Sequence, residues 1–204
     1  MTRGGSCFVS IELLPEWIRQ NYDIEERYHA CAVLHTDFRA EWDDLVAALQ
    51  DFRLTRTMVT TRGGNKGPIA RRLDGYFYAH GWGEHRFNIE VRVDGAPTLT
   101  PTHHVDYFRN RVAIETEWNN KDPFFDRDLT TFRLLFDLNV LSVGVIITRA
   151  DELQEIFNQL GRGQSFGQNT THMSQLIGRI RNRGSGGCPV LGFGIKASLY
   201  VENE

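Results

Sequence analysis

The amino-acid sequence predicts an α/β protein in which a mixed central β-sheet is flanked by helices. Strand-like runs alternate along the chain with segments of helical periodicity, and Gly or Pro residues separate them. Interleaved strands and helices are typical of a sheet that is covered by helices. Because the sequence shows no internal repeat and no linker, we predict that residues 1–204 form a single domain.

Strands are predicted where apolar and polar residues alternate or, for a strand buried on both faces, where β-branched residues form a continuous run. The clearest alternating strand is 112–118, and the clearest continuous run is 141–147. In chain order the predicted strands are residues 7–12, 28–34, 87–93, 112–118, 141–147 and 189–200.

Helices are predicted where apolar residues recur every three or four positions between residues that begin or end a helix. Asp37 and Asp122 are suitable N-caps, Pro123 suits the first helical position, and Gly81 and Gly161 suit helix ends. The predicted helices are residues 37–49, 69–80, 123–139, 151–160 and 171–181, with a helical turn at 15–20.

The composition excludes several classes of protein. The apolar and charged contents, 41% and 24%, are close to globular averages, and no apolar run reaches the length of about 18 residues that a membrane span needs. Residues 1–5 lack the apolar region of a signal peptide, so we expect a cytoplasmic protein with no membrane partner. Three widely spaced cysteines without a CxxC pair favour neither a disulfide framework nor a zinc site.

Three carboxylates carry the chemistry that we predict. Alternation along the strand 112–118 places Glu115 and Glu117 on one face, about 7 Å apart. Like charges on an apolar strand are costly unless a cation lies between them. Asp106, nine residues before Glu115, would complete a set of hard oxygen donors that suits Mg²⁺ better than zinc. The commoner alternative for such spacing is a Glu-x-Glu pair that faces solvent.

The segment around these carboxylates, VDYFRNRVAIETEWNNKDP, resembles the active-site segment of the BglII and BstYI type restriction endonucleases, members of the PD-(D/E)xK nuclease superfamily. The stretches AHGW, VGVIIT and PVLGFGI occur in similar order, so the resemblance lies between residues 60 and 195. It implies a restriction-endonuclease-like core and a homodimer that cuts double-stranded DNA with Mg²⁺, for which Mn²⁺ can substitute. It also implies 5′-phosphate ends and a short palindromic target containing GATC, as in a restriction-modification system.

The resemblance also implies roles for the acidic segment. Asp106 and Glu115 would be metal ligands, joined by the backbone carbonyl of Thr116. At the position of Glu117 the superfamily usually has lysine, and the two named enzymes have glutamine. The glutamate in this sequence is similar to the Glu-x-Glu variant of BamHI. A glutamate at this position can bind metal or accept a proton from the attacking water, and we predict that Glu117 activates the water.

Contacts to DNA are predicted in three stretches: the loop 60–68, the residues after the acidic strand, and the basic end of the helix 171–181. For each stretch the alternative is ordinary: a surface loop, a solvated lysine, or a helix end whose arginines stabilise the helix dipole. The candidate residues are Arg62, Asn65, Lys66, Asn119, Lys121, Arg179, Arg181 and Arg183.

Two rival functions remain open at the level of sequence. One is a repair or recombination nuclease of the same superfamily that selects DNA structure, and the other is an inactive DNA-binding module that keeps the fold. The intact set of Asp106, Glu115 and Glu117 argues against the inactive module. The broad apolar stripe of the helix 123–139 is predicted to be core and, because of its breadth, is also our first candidate for a dimer interface.

Overall fold

The computed structural model describes residues 10–61, 67–99, 103–121 and 123–202. Its centre is a mixed six-stranded sheet in which the two inner pairs are parallel and the outer pairs are antiparallel. The strand order is β1 (Tyr22–Arg27), β9 (Val190–Ile195), β8 (Val143–Arg149), β7 (Val112–Thr116), β6 (His103–Arg109) and β3 (Gly83–Phe87). The predicted α/β class, a mixed sheet flanked by helices, is confirmed.

Helices surround this sheet, and two small strand pairs lie apart from it. The helices are α1 (Glu16–Asn21), α2 (Ala30–Asp37), α3 (Arg39–Asp51), α4 (Arg56–Thr60), α5 (Pro68–Ala79), α6 (Pro123–Asp137), α7 (Leu153–Gln159) and α8 (Met173–Arg181). The small pairs are β2 (Leu54–Thr55) with β10 (Tyr200–Val201), and β4 (Glu90–Val93) with β5 (Ala96–Leu99). Within the described ranges, no helix combines the length and apolar character that crossing a membrane requires.

The sheet separates two hydrophobic clusters. Val112 and Ile114 of β7 belong to the larger cluster, with residues of α3 and α5, whereas Ala113 belongs to the cluster that contains α6 and α8. Strand β8 lies between the two clusters and is buried along its whole length. This is the arrangement that a continuous β-branched run predicts, because both faces of such a strand pack against helices.

The N-terminal part of the chain differs most from the prediction. Of residues 28–34, predicted as a strand, 28–29 form a turn and 30–34 begin α2, and the strand β1 comes immediately before them. Ala30, Cys31 and Leu34 are buried at helical spacing. Periodicity alone does not separate so short an apolar run from a buried strand. Of the predicted strand 7–12, residues 10–12 belong to the 3₁₀ helix Ser10–Leu13 and the others lie outside the described residues.

The six predicted helices are present, and each end lies within two residues of its prediction, whereas the short helix α4 was not predicted. The strands at 112–118 and 141–147 are likewise present, as β7 and β8. The predicted strand 87–93 is divided between the end of β3 and β4, and the last predicted strand ends at Ile195. Asp37 ends α2 instead of capping α3, whose first residue is Arg39.

The apolar stripe of α6 is core. Its central members pack against the sheet within the same chain and are at most 1% exposed; they are Phe125, Leu129, Phe132 and Leu135. Phe124 and Phe136, at the sides of the stripe, are only half-buried. The centre of the stripe is therefore core, and the dimer interface remains a prediction.

Candidate active site

The acidic residues come together where strands β6 and β7 part. Their last antiparallel pair joins Tyr107 to Ile114, so the next step places Asp106 opposite Glu115. At this step side-chain oxygens replace backbone carbonyls as acceptors. The Thr116 N–H donates to Asp106 Oδ2 at 3.0 Å, and the Asp106 N–H donates to Glu115 Oε2 at 3.3 Å. The two carboxylates therefore hold the end of the strand pair and are oriented by it.

A bulge in β6 sets the direction of Asp106. Strand β3 pairs Gly83 with Phe108 and His85 with Val105, so β6 has one more residue than β3 between these pairs. Residues two apart on a regular strand share a face, yet Val105 packs in the α6 cluster and Tyr107 in the opposite one. β-Bulges re-aim side chains in this way. The extra residue brings Asp106 beside Glu115.

The parted strands open into a cleft of about 390 Å³. Asp106, Thr116 and Glu117 line it, together with the turn 118–120 that follows β7. Residues 67–70, at the beginning of α5, and the residues Asp74, Arg127 and Arg162 also line it. The cleft thus places carboxylates and arginines around the same space.

Glu115 is the most isolated acid of the site. It is 2% exposed, and its Oε1 is buried without a hydrogen-bond partner among the described residues. Burial, reinforced by the charges of Asp128, Asp106 and Glu117, raises the pKa of Glu115 well above its ordinary value. The ionised form of this side chain therefore needs a positive charge that its nearest neighbours do not supply.

Glu117 lies directly after β7 and is held at both carboxylate oxygens. Arg127 Nη2 donates to Oε1 at 3.1 Å, and Asn120 Nδ2 donates to Oε2 at 2.5 Å. Its backbone stays attached to β8, because its N–H donates to the Ile147 carbonyl and its carbonyl accepts from Thr148 Oγ1. Burial and the charge of Asp128 raise the pKa of Glu117 to about 9, against the opposing effects of Asn120 and Arg127.

Three residues that surround Glu117 were missed by sequence reasoning: Asn120, Arg127 and Asp128. Asp128 is 1% exposed, and burial raises its pKa. Arg127 donates to Asp128 Oδ1 through Nε at 2.9 Å and through Nη2 at 2.7 Å. A signal was present: Asp128 falls within the apolar stripe of α6, three residues after Phe125 and four before Phe132. A carboxylate in a core stripe is rarely incidental.

The residues fit a divalent cation of the hard kind. Asp106 and Glu115 offer carboxylate oxygens, and Oε1 of Glu115 is buried without a partner among the described residues. The Thr116 N–H donates to Asp106. Because the N–H and C=O groups of one strand residue point to the same edge of the strand, the Thr116 carbonyl also faces Asp106. Across the described ranges, no three His, Cys, Asp or Glu side chains converge to hold a metal. Two carboxylates and one carbonyl still suffice for Mg²⁺, which keeps several waters.

The candidate DNA-contacting residues near the acidic strand have different positions. Asn119 lines the cleft. Lys121 forms a backbone bridge with Thr170 and does not belong to the cleft lining. Three candidates lie outside the described residues: Arg62, Asn65 and Lys66.

The arginines at the end of α8 are engaged in ion pairs. Arg179 Nε donates to both oxygens of Asp126 at 3.0 Å, and Arg181 Nε donates to Glu25 at 2.8 Å. Arg183 follows with a left-handed backbone, φ 63°. The structure does not bring these residues into the cleft lining, and their position at a helix C-terminus agrees with the dipole interpretation.

The mixed sheet with an acidic cleft at its parted end is consistent with a restriction-endonuclease-like α/β fold. The model of the family described as restriction endonuclease BglII/BglIII matches residues 22–195, and the chain belongs to this family. The match begins at the first residue of β1, so it extends the resemblance that was visible from residue 60 onward. No curated protein matches the chain.

Family membership supports a type II restriction enzyme, and therefore a nuclease that binds double-stranded DNA. Restriction endonucleases of this family generally use divalent metal ions.

Proposed function

We propose that the protein is a type II restriction endonuclease that hydrolyses both strands of double-stranded DNA at one short palindrome, using Mg²⁺. Asp106, Glu115 and the Thr116 carbonyl hold the ion, and Glu117 acts on the attacking water. The observation that carries this proposal is the buried Oε1 of Glu115, which has no hydrogen-bond partner among the described residues and lies next to Asp106, a residue of the cleft lining. The family supports the class of enzyme, and the geometry supports the roles.

The side chains have separable tasks. A bound Mg²⁺ supplies positive charge to the phosphate and lowers the pKa of a water. The backbone N–H groups of Thr116 and Asp106 orient Asp106 and Glu115, so these ligands need little rearrangement. Each oxygen of Glu117 accepts one hydrogen bond and keeps a second lone pair. The charge of the bound Mg²⁺ would lower the raised pKa of Glu117, and the ionised side chain can then accept a proton from water while it stays in place.

A homodimer is part of the proposal, because palindromic DNA matches the two-fold symmetry of two identical protomers. Each protomer then hydrolyses one strand and leaves a 5′-phosphate. A target containing GATC follows from the family resemblance alone. Sedimentation of the protein with and without its target DNA measures the oligomeric state. A monomer under both conditions would show that the proposed homodimer is wrong.

Cleavage of plasmid DNA tests the function directly. Purified protein, plasmid and Mg²⁺ should give discrete fragments, and sequencing of their ends should show one palindrome cut on both strands with 5′-phosphates. Mn²⁺ in place of Mg²⁺ should support the same cut. A smear would indicate a nuclease that selects structure, and binding without cleavage would indicate an inactive module; either result rejects the proposal.

The metal ligands can be tested one at a time. Asp106→Asn and Glu115→Gln should each slow single-turnover cleavage by at least about 10²-fold, because bound metal is worth several kcal/mol of transition-state stabilisation. DNA binding in Ca²⁺ should change little. The matched control is Glu155→Gln, an exposed acid on α7 outside the cleft, which should cleave at the parental rate. Near-parental cleavage by either ligand variant would remove that residue from the site.

A further inference from the structure

Arg127 occupies a position in the cleft that the reaction described above does not yet use. It lies in the second turn of α6, and its side chain lines the cleft and is 54% exposed. Its guanidinium joins two buried acids, Glu117 through Nη2 and Asp128 through Nε and Nη2. The guanidinium carbon also lies 4.4 Å from the centre of the Phe124 ring. Two acids and a ring therefore fix the plane of the guanidinium.

One edge of this guanidinium remains available. Arginine has five N–H donors, and Nε and Nη2 of Arg127 point to the acids. The Nη1 group has no hydrogen-bond partner among the residues that the structure describes. A half-exposed, pre-oriented N–H pair in an open cleft is suited to a phosphate oxygen, because the guanidinium stays charged and is weakly hydrated.

We propose that Arg127 is a catalytic residue with two simultaneous contacts: Nη2 holds Glu117 Oε1 in place, and Nη1 binds a non-bridging oxygen of the phosphate that is cleaved. This inference rests on the proposed nuclease function and adds to it the positive charge that the chain itself brings to the phosphate. The sequence suggested Lys121 for that task, but Lys121 is not part of the cleft lining. The charge comes instead from Arg127 of α6, which lies beside Glu117, the proposed general base.

A chemically altered phosphate tests the contact through binding alone. The probe is a duplex with the palindrome found in the plasmid assay, in which a neutral methylphosphonate replaces the scissile phosphate. In Ca²⁺, the parental protein should bind this duplex about tenfold or more weakly than the normal one, since hydrogen bonds between charged groups are worth roughly that factor. Arg127→Ala should bind the normal duplex about tenfold more weakly, and its difference between the two duplexes should be clearly smaller than that of the parental protein, since only the share of the bound cation remains.

The remaining variants separate this role from a structural one. Arg127→Lys should recover much of the binding but little of the cleavage rate, because an ammonium cannot reproduce the planar contacts to both acids and the phosphate. Arg133→Ala is the matched control: Arg133 lies on the same helix, is 61% exposed and lies outside the cleft lining. This variant should equal the parental protein in its affinity for the normal duplex, in the loss of affinity for the methylphosphonate duplex, and in its cleavage rate.

The outcomes distinguish this proposal from the function on which it rests. If the parental protein cleaves no DNA, the proposed function fails. If it cleaves, but Arg127→Ala keeps the full methylphosphonate penalty, the phosphate contact is wrong, even if the variant is slow. Arg127→Ala could unfold because Asp128 would lose its guanidinium partner. In that case the double variant Arg127→Ala/Asp128→Asn also removes the buried charge of Asp128. The double variant is tested by the same comparison of the normal and methylphosphonate duplexes.

Discussion

Two buried glutamates, Glu41 in α3 and Glu115 in β7, are almost equally hidden from solvent, 4% and 2% exposed, yet only one is neutralised. Glu41 accepts from Arg109 Nε at 2.9 Å and from Asn110 Nδ2 at 3.5 Å. Glu115 accepts one backbone N–H, and its Oε1 has no hydrogen-bond partner in the described part of the chain. Buried charges in a stable fold are normally paired.

The contrast lies along a single strand. β6 carries Asp106 at the acidic site and, three residues later, Arg109, which joins Glu41 and Asp44 to the sheet. Glu41, the carboxylate that stabilises the fold, is paired with an arginine. Where the carboxylates meet at Glu115, one buried oxygen has no hydrogen-bond donor among the described residues. An unpaired buried acid beside paired ones is therefore a mark of function.

The largest effect is expected at Glu117, the acid that we assign to the water. Glu117→Gln removes the charge at nearly constant volume and should slow single-turnover cleavage by about 10²–10⁴-fold. Glu117→Lys should be inactive, because its ammonium would repel the bound cation. The glutamine variant should stay folded and should lose no stability in thermal unfolding, because glutamine removes a buried titratable group. If that variant cleaves at the parental rate in saturating Mg²⁺, the metal alone activates the water and Glu117 is not the base.

A smaller effect separates the two glutamates by stability. Glu41→Gln should lower the free energy of unfolding by about 1–3 kcal/mol, because Arg109 loses a buried charged partner and keeps Asp44. Glu115→Gln should leave the free energy unchanged or raise it, since it removes one charge from a group of like charges. Urea unfolding in EDTA measures both. If Glu115→Gln were the more destabilised variant, Glu115 would be a structural acid and the comparison would fail.

Much of the site was visible in the sequence because it depends on local spacing. The buried run at β8, the strand β7 and the approach of Asp106 to Glu115 follow from periodicity and from a short turn. The function came mainly from the resemblance of one segment, since Glu-x-Glu pairs on solvent-facing strands are common. Spacing alone would have left the metal site as the less favoured interpretation.

The rest depends on contacts between distant parts of the chain. The bulge that turns Asp106 inserts one residue relative to β3, and no residue type in this segment marks it. Arg127 and Asp128 reach the acids only because α6 packs over that face of the sheet. The buried helix α2 was mistaken for a strand because its apolar run is short and lacks clear periodicity.

The last expected effect concerns pH, and it examines the buried acids of the site without any substrate. Burial and the charge of Asp128 raise the pKa of Glu117 to about 9, whereas in the unfolded chain it has the ordinary value of about 4.5. Above about pH 4.5 the unfolded chain releases this proton while the folded protein keeps it. The resulting stabilisation is complete below pH 4.5 and is lost as the pH rises through about 9.

In EDTA, the parental protein should therefore lose stability between pH 5 and pH 9, by at most about 1.4 kcal/mol per pH unit for each such group. Glu117→Gln should show a flatter decline, because glutamine does not titrate. Glu41→Gln is the matched control and should retain the slope of the parental protein, since it leaves the acidic cluster intact. Parallel curves for the parental protein and Glu117→Gln, measured by urea unfolding at each pH, would mean that Glu117 is already ionised in the metal-free fold. Its contacts with Arg127 and Asn120 would then be sufficient to neutralise it, and the distinction between paired and unpaired acids would apply to Glu115 alone.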